Sequence, residues 1–236
     1  MVCNSGVSLI PDINGEMHHF VNSGLYDALF IMEDEETKTL WNHVTGEALY
    51  GKLAGYRLPV TNLMQMNVAQ ALELDPGMQV AISDRPYRGA ANMMPPAYSP
   101  DNGDPQMMDM FTRTLGKEDQ RRPRMDMGLG VWSEKHRRYY PVHTLRANGN
   151  PVIDEFDGKT LLVYLDPETF ILSAIYVESR AARREGQDIL LDNGLRVRSG
   201  RLVDADDRSL PVERPQQIFT RWYGFSLTFP NPEIYE

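Results

Sequence analysis

A chain of 236 residues, 42% apolar and 24% charged, is long enough to bury a substantial core and has no compositional sign of general disorder. Its formal charge of -9 repels nucleic-acid phosphates, and the short basic runs Arg121-Arg122-Pro123-Arg124 and Lys135-His136-Arg137-Arg138 lie beside acids, so no nucleic-acid partner is expected. The single cysteine, Cys3, excludes an intramolecular disulfide, and without a basic leader or a long apolar run the chain reads as cytoplasmic, with no membrane partner.

In chain order, Val7 to Ile10, Met17 to Val21 and Leu29 to Met32 have strand composition. They are separated by Asp12-Ile13-Asn14-Gly15 and Asn22-Ser23-Gly24, where Asn and Gly tolerate the positive φ of tight turns. Glu33-Asp34-Glu35-Glu36 is expected to be a solvated hairpin tip rather than a metal site. If Trp41 to Leu49 is extended, alternation puts Trp41, His43, Thr45 and Glu47 on one face. Asn62 to Leu74 carries Leu63, Met66, Ala69 and Leu72 near helical spacing and stops ahead of Asp75-Pro76. Residues 83–127, rich in Pro, Gly, Asp and Met, read as a connecting or binding loop.

Beyond that loop, Gly128 to Trp132 and Arg138 to Val142 predict a strand pair around Ser133-Glu134-Lys135-His136, with Pro141 at a strand end or edge. Glu155 and Asp157, ahead of Gly158, suit a hairpin tip. Leu161 to Leu165, Asp166-Pro167-Glu168-Thr169 and Ile171 to Val177 give strand, turn, strand. Asp204, Asp206 and Asp207 read as a polar turn, since the Gly and closing Glu of a calcium loop are missing. Arg214-Pro215 is placed to open a helix with Ile218, Phe219, Trp222 and Phe225 on one stripe.

Two passages share an order. Thr45-Gly46-Glu47-Ala48-Leu49-Tyr50-Gly51 leads to Leu58-Pro59-Val60 and then Leu74-Asp75-Pro76, while Asn193-Gly194-Leu195-Arg196-Val197 leads to Leu210-Pro211-Val212 and then Phe229-Pro230-Asn231. The expected architecture is a β-rich α+β protein of two tandem, distantly repeated β modules, each ending in a short helix. The first occupies residues 1–82 and the second 128–236, joined by the 83–127 loop.

Cys3-Asn4-Ser5-Gly6, Asn22-Ser23-Gly24-Leu25-Tyr26, Leu40-Trp41 with Thr45-Gly46-Glu47-Ala48, Leu53-Ala54-Gly55, Arg122-Pro123-Arg124, Gly128-Leu129-Gly130-Val131 and Arg221-Trp222-Tyr223-Gly224-Phe225 together resemble a prokaryotic family, domain of unknown function 3179. The resemblance covers nearly the whole chain. It implies an upstream segment and a Cys-x-x-Cys pair of which Cys3 is the second member, the first falling ahead of Met1, so that the chain has either lost it or starts late. It implies no particular activity.

Three site-based readings follow, beside a purely structural or scaffolding role that needs no pocket. A cleft between the modules, lined by Trp41, His43, Thr45, Glu47 and the central loop, binds a small-molecule ligand or a partner, with Asn22 and Ser23 also at the site. Alternatively, Cys3 is a thiolate nucleophile, His43 its base and Glu47 the orienting carboxylate, because a thiol enzyme needs an imidazole in contact with sulfur and held by a third group. The third is a soft-metal site for Cu(I), built from Cys3, His18 or His19 and the methionines of the central loop, which holds Met93, Met94, Met107, Met108, Met110, Met125 and Met127. His18 and His19, if on a strand, point to opposite faces and cannot chelate one ion together. No phosphate loop, dinucleotide fingerprint, nucleophile elbow or His-Glu-x-x-His is present, and the sequence leaves any cofactor unknown.

Overall fold

The computed structural model describes residues 6–80, 82, 84 and 107–236. The first half begins with β1 (Ser8–Leu9) and the hairpin β2 (Asp12–Ile13) and β3 (Glu16–Met17), turned by Asn14 and Gly15, both at positive φ. A four-stranded antiparallel meander follows: β4 (Phe20–Tyr26), β5 (Leu29–Asp34), β6 (Leu40–Asn42) and β7 (Ala48–Tyr50), paired in that order. Then come β8 (Val60–Thr61), antiparallel to β1, and the short helix α1 (Val68–Leu74).

After α2 (Asp109–Thr112), β9 (Met127–Trp132) and β10 (Arg137–Pro141) form the predicted pair, and Pro141 ends β10 where α3 (Val142–Asn148) starts. The meander β11 (Val152–Phe156), β12 (Lys159–Leu165) and β13 (Leu172–Tyr176) turns at Asp157-Gly158 and over Asp166 to Phe170. A second four-stranded meander contains β14 (Ala182–Glu185), β15 (Asp188–Leu191), β16 (Arg196–Arg198) and β17 (Arg201–Val203). The chain closes with β18 (Gln216–Arg221), α4 (Trp222–Thr228) and β19 (Glu233–Ile234). These complete a central sheet of order β18-β9-β10-β19.

The sheets stack through alternating side chains. Leu129 and Val131 of β9 face Tyr140, Leu161, Val163 and Leu165, while Leu162 and Tyr164 of the same β12 face Ile189, Leu191, Val197 and Leu202 of the second meander. Residues 161–165 are therefore buried on both faces, which is why they form an unbroken apolar run. On its opposite face, β9 carries Gly128 and Gly130. A Cβ at Gly130 would lie 2.1 Å from the Phe225 ring, so only glycine lets α4 lie this close to the sheet. Trp222, Tyr223, Phe225, Tyr139 and Trp132 fill this layer, and Ala28, Leu29 and Val44 of the first half pack into it.

The two four-stranded meanders share consecutive antiparallel order, and each is followed by a Leu-Pro-Val segment. The residues just past those segments clasp one another. Asn62 Nδ2 donates to the Pro215 carbonyl at 2.7 Å, Gln217 N–H donates to Asn62 Oδ1 at 3.0 Å, and Gln216 Nε2 donates to the Val60 carbonyl at 3.0 Å.

Several local expectations are corrected. Residues 62–67 are not helical, because Asn62 is engaged in the clasp; α1 begins after Asn67, whose side chain and Gln70 form a reciprocal capping box. Its polarity is inverted relative to the expected stripe: Gln70 is buried against Asp166, while Val68 and Leu72 are exposed. Residues 216–221 form a strand rather than the start of a helix, because six of them pair with β9, leaving Ile218 and Phe219 on opposite faces of the sheet. Asn22-Ser23-Gly24 is a bulge within β4, and the turn falls instead at Asp27 and Ala28, both at positive φ. Residues 107–126, assigned to the connecting loop, are built into the fold. Met107 is in the core, the Thr114 carbonyl accepts from Asp27 N–H, and the Asp126 and Arg124 carbonyls accept from the first N–H groups of α4.

Candidate functional site

The extended face proposed for Trp41, His43, Thr45 and Glu47 does not exist as one surface. After Trp41 and Asn42 the chain turns: Asn42 Oδ1 accepts from the N–H groups of Val44 and Thr45, and Gly46 N–H donates to the Asn42 carbonyl. Gly46 has φ +69°, and a Cβ there would come within 2.7 Å of the Leu58 carbonyl oxygen. The turn sends the four side chains to different places.

Trp41 is fully buried against Ile13, Ala48 and Leu58, and its Nε1–H donates to Asp34 Oδ2 at 2.8 Å. Asp34 is not part of a solvated tip. It is fully buried, and its two oxygens also accept from Thr37 N–H, the Thr37 hydroxyl, Thr39 N–H and the His18 ring. Burial opposes the charge, but the hydrogen bonds from Trp41, Thr37 and His18 outweigh it and bring the carboxyl down to about 2.

His43 is 5% exposed and stacks on Phe30 at a ring separation of 4.2 Å. Desolvation lowers its pKa to about 4, against the raising effect of a hydrogen bond with the Phe30 backbone, so the imidazole is neutral at pH 7. Asn22 and Ser23 lie on the exposed β4 bulge, where the Ser23 hydroxyl donates to Glu33 at 3.2 Å. Cys3 lies outside the described residues, as do Met93 and Met94.

Thr45 and Glu47 do line a cavity. Together with Arg57, Leu58, Pro59 and Val60 they form one wall of a groove of about 920 Å³, whose other wall comes from the second half: Trp132 to Glu134, Arg137, Tyr176, Glu213 to Gln216, Thr228 and Phe229. The clasp between Gln216 and Val60 joins the two walls. Acids and cations both line it. Glu47 pairs with Arg57 at 3.4 Å, Lys159 pairs with Glu213 at 2.5 Å and lies over the Tyr176 ring, and Arg214 donates to Ser173 Oγ and the Gly200 carbonyl. Trp132 and Phe229, 5.2 Å apart, supply the apolar end. A smaller cavity of about 50 Å³ with mixed lining lies beside the clasp, between Asn62, Gln70, Asp166, Arg214 and Gln217 on one hand and Leu63, Leu129, Leu172 and Phe219 on the other, and holds no more than a few waters.

The Arg122-Pro123-Arg124 and Arg221 to Phe225 motifs have packing roles. Arg122 and Arg124 are ion-paired to Asp126 and Glu118, and Trp222 Nε1 donates to the Asp119 carbonyl, so the Arg-Pro-Arg segment braces the start of α4. The family described as Protein of unknown function (DUF3179) matches residues 1–226. The chain belongs to that family. No curated protein and no solved structure matches it. No described helix of this family member is long and apolar enough to cross a membrane.

Sequence reasoning missed the groove wall of residues 213–216, because Arg214-Pro215 reads as a helix start. It also missed the buried role of Asp34, whose signal is Asp34-x-x-Thr37-x-Thr39, an acid followed by hydroxyl residues able to turn back onto it.

Proposed function

We propose that the protein binds a small, elongated polar ligand in the groove between its two halves. The observation that carries this reading is the groove's composition: Glu47 and Arg57 on one wall face Glu134, Arg137 and Glu213 on the other, with Trp132 and Phe229 at one end. Such a channel of mixed sign suits a ligand with both a cationic and an anionic group, such as an amino acid or short peptide, whose ends would find opposite charges and whose apolar part would find aromatic surface. We read the halves, residues 1–82 and 128–236, as tandem modules related by their shared strand order, which would make the groove an intermodule site.

A thermal-shift screen of amino acids and short peptides tests the reading on the wild type and on Glu47→Ala and Arg137→Ala, both at the groove. Hits that stabilise the wild type and lose their effect in these variants are expected. A screen without hits, or hits indifferent to both substitutions, would count against it. The rival, a thiol enzyme using Cys3 with His43 and Glu47, is weakened because His43 is neutral, buried and stacked on Phe30, whereas a base working near pH 7 needs a pKa close to that value. The Cu(I) reading loses Met107 to the core.

A further inference from the structure

His18 and His19 fall in the link between β3 and β4 rather than within a strand, so the opposite-face argument made for a strand does not apply to them. Both ring Nδ1 atoms come to the same carboxylate: His18 is 3.6 Å from Glu36 Oε2 and His19 is 2.7 Å from Glu36 Oε1. His18 Nδ1 is also 3.2 Å from Asp34 Oδ1, and one donor atom each from His18, Asp34 and Glu36 lies within 4.8 Å of the others. We propose that His18, Asp34 and Glu36 bind a first-row divalent cation of the Zn2+ class, with the fourth position open to solvent on the Glu36 side.

Donor spacing supports this. Ligand bonds of ~2.0–2.1 Å in a tetrahedral zinc site put neighbouring donor atoms about 3.3 Å apart. The two His18 separations, 3.2 and 3.6 Å, bracket that edge length. The cation would sit among these donor atoms, where His18 Nδ1 and Asp34 Oδ1 now contact each other directly.

The surroundings resemble the outer support of a metal site, in which ligands are held by hydrogen bonds from groups that do not touch the ion. Asp34 is held by Thr37, Thr39 and the Trp41 indole. Glu36 is held by the His19 ring and by His19 N–H, which donates to both oxygens at 3.0–3.1 Å. One imidazole and two carboxylates form a borderline-to-hard donor set without sulfur, which disfavours Cu(I). The site is separate from the groove and stands whether or not the groove binds a ligand.

Isothermal titration of the chelator-stripped full chain with Zn2+ tests the site, using Glu36→Gln because Glu36 is surface-accessible and the amide keeps an acceptor for His19. Wild-type protein should bind one equivalent with micromolar or tighter affinity. Glu36→Gln should abolish binding, His19→Ala should weaken it by ~10–100-fold as removal of a supporting group does, and His136→Ala, at a distant surface histidine, should leave it unchanged. In parallel, the Trp41 indole N–H resonance should move on Zn2+ addition, since that group donates to a proposed ligand. Absence of wild-type binding, full retention in Glu36→Gln, or Zn2+ uptake without a Trp41 response would each overturn the proposal.

Discussion

His43 offers a direct test of the burial argument. The imidazole is 5% exposed, and desolvation lowers its pKa from 6.5 to about 4. Between those values the unfolded chain carries a proton at this position that the folded protein does not, so stability falls as the pH drops through that window. At ~1.36 kcal/mol per pH unit, the lowering corresponds to about 3 kcal/mol by pH 4. That is a sizeable share of a typical net stability of ~5–15 kcal/mol. Urea unfolding followed by tryptophan fluorescence at pH 7, 5.5 and 4.5 should show wild-type stability declining more steeply than that of His43→Gln, which keeps a hydrogen-bonding side chain but cannot take up a proton. The difference between the two profiles isolates His43 from the other four histidines. An NMR titration in which the His43 ring takes up its proton near pH 6.5, or superimposable profiles for the two proteins, would refute the reasoning.

Trp41→Phe retains the ring packing but removes the Nε1–H donated to Asp34; a loss of ~1.5–3 kcal/mol, the range for hydrogen bonds to charged groups, should appear in urea denaturation. Gly130→Ala would ordinarily gain a little strand stability, but its Cβ meets the Phe225 ring, so a destabilisation of ~1–3 kcal/mol or more is expected, with Tm falling accordingly. Glu47→Ala removes an ion pair with Arg57 in which both side chains are well exposed, and should change the unfolding free energy by no more than ~0.5 kcal/mol, which makes it a clean probe of the groove.

Much of the β framework was legible because its turns are locally encoded. Asn14-Gly15, Ser133 to His136, Asp157-Gly158 and the Asp204 turn carry side chains or conformations that close the chain within a few residues, and the structure turns at each. Leu161 to Leu165 was legible as a strand, whereas its burial on both faces emerged only with the stacked sheets. The failures arose where distant partners decide. The 216–221 segment has a helix-like stripe, but β9 offers it a ladder of backbone hydrogen bonds, and the strand wins. Asn62 was drawn out of a helix by Pro215 and Gln217.

The candidate site divided in the same way. Thr45 and Glu47 reached the groove, while the Asn42 to Gly46 turn, short enough to pass for an extended run, took Trp41 and His43 into the interior. That Asn and Gly were the available signal. Asp34 was unreadable as a buried group because its acidic neighbours mask it, and only the folded arrangement brings Thr37, Thr39, Trp41 and His18 onto one carboxylate.

The clasp also imposes a timetable on synthesis. Asn62 leaves the ribosome long before Pro215 and Gln217 exist, and at ~5–20 residues per second the delay is on the order of 10–30 s. Throughout that interval the early meander must wait with Ala28, Leu29 and Val44 uncovered, since the aromatic layer that receives them comes from residues made much later. Nascent chains of this protein should therefore be unusually dependent on holding factors at the exit tunnel, and a circular permutant that brings the late segment forward should shed that dependence.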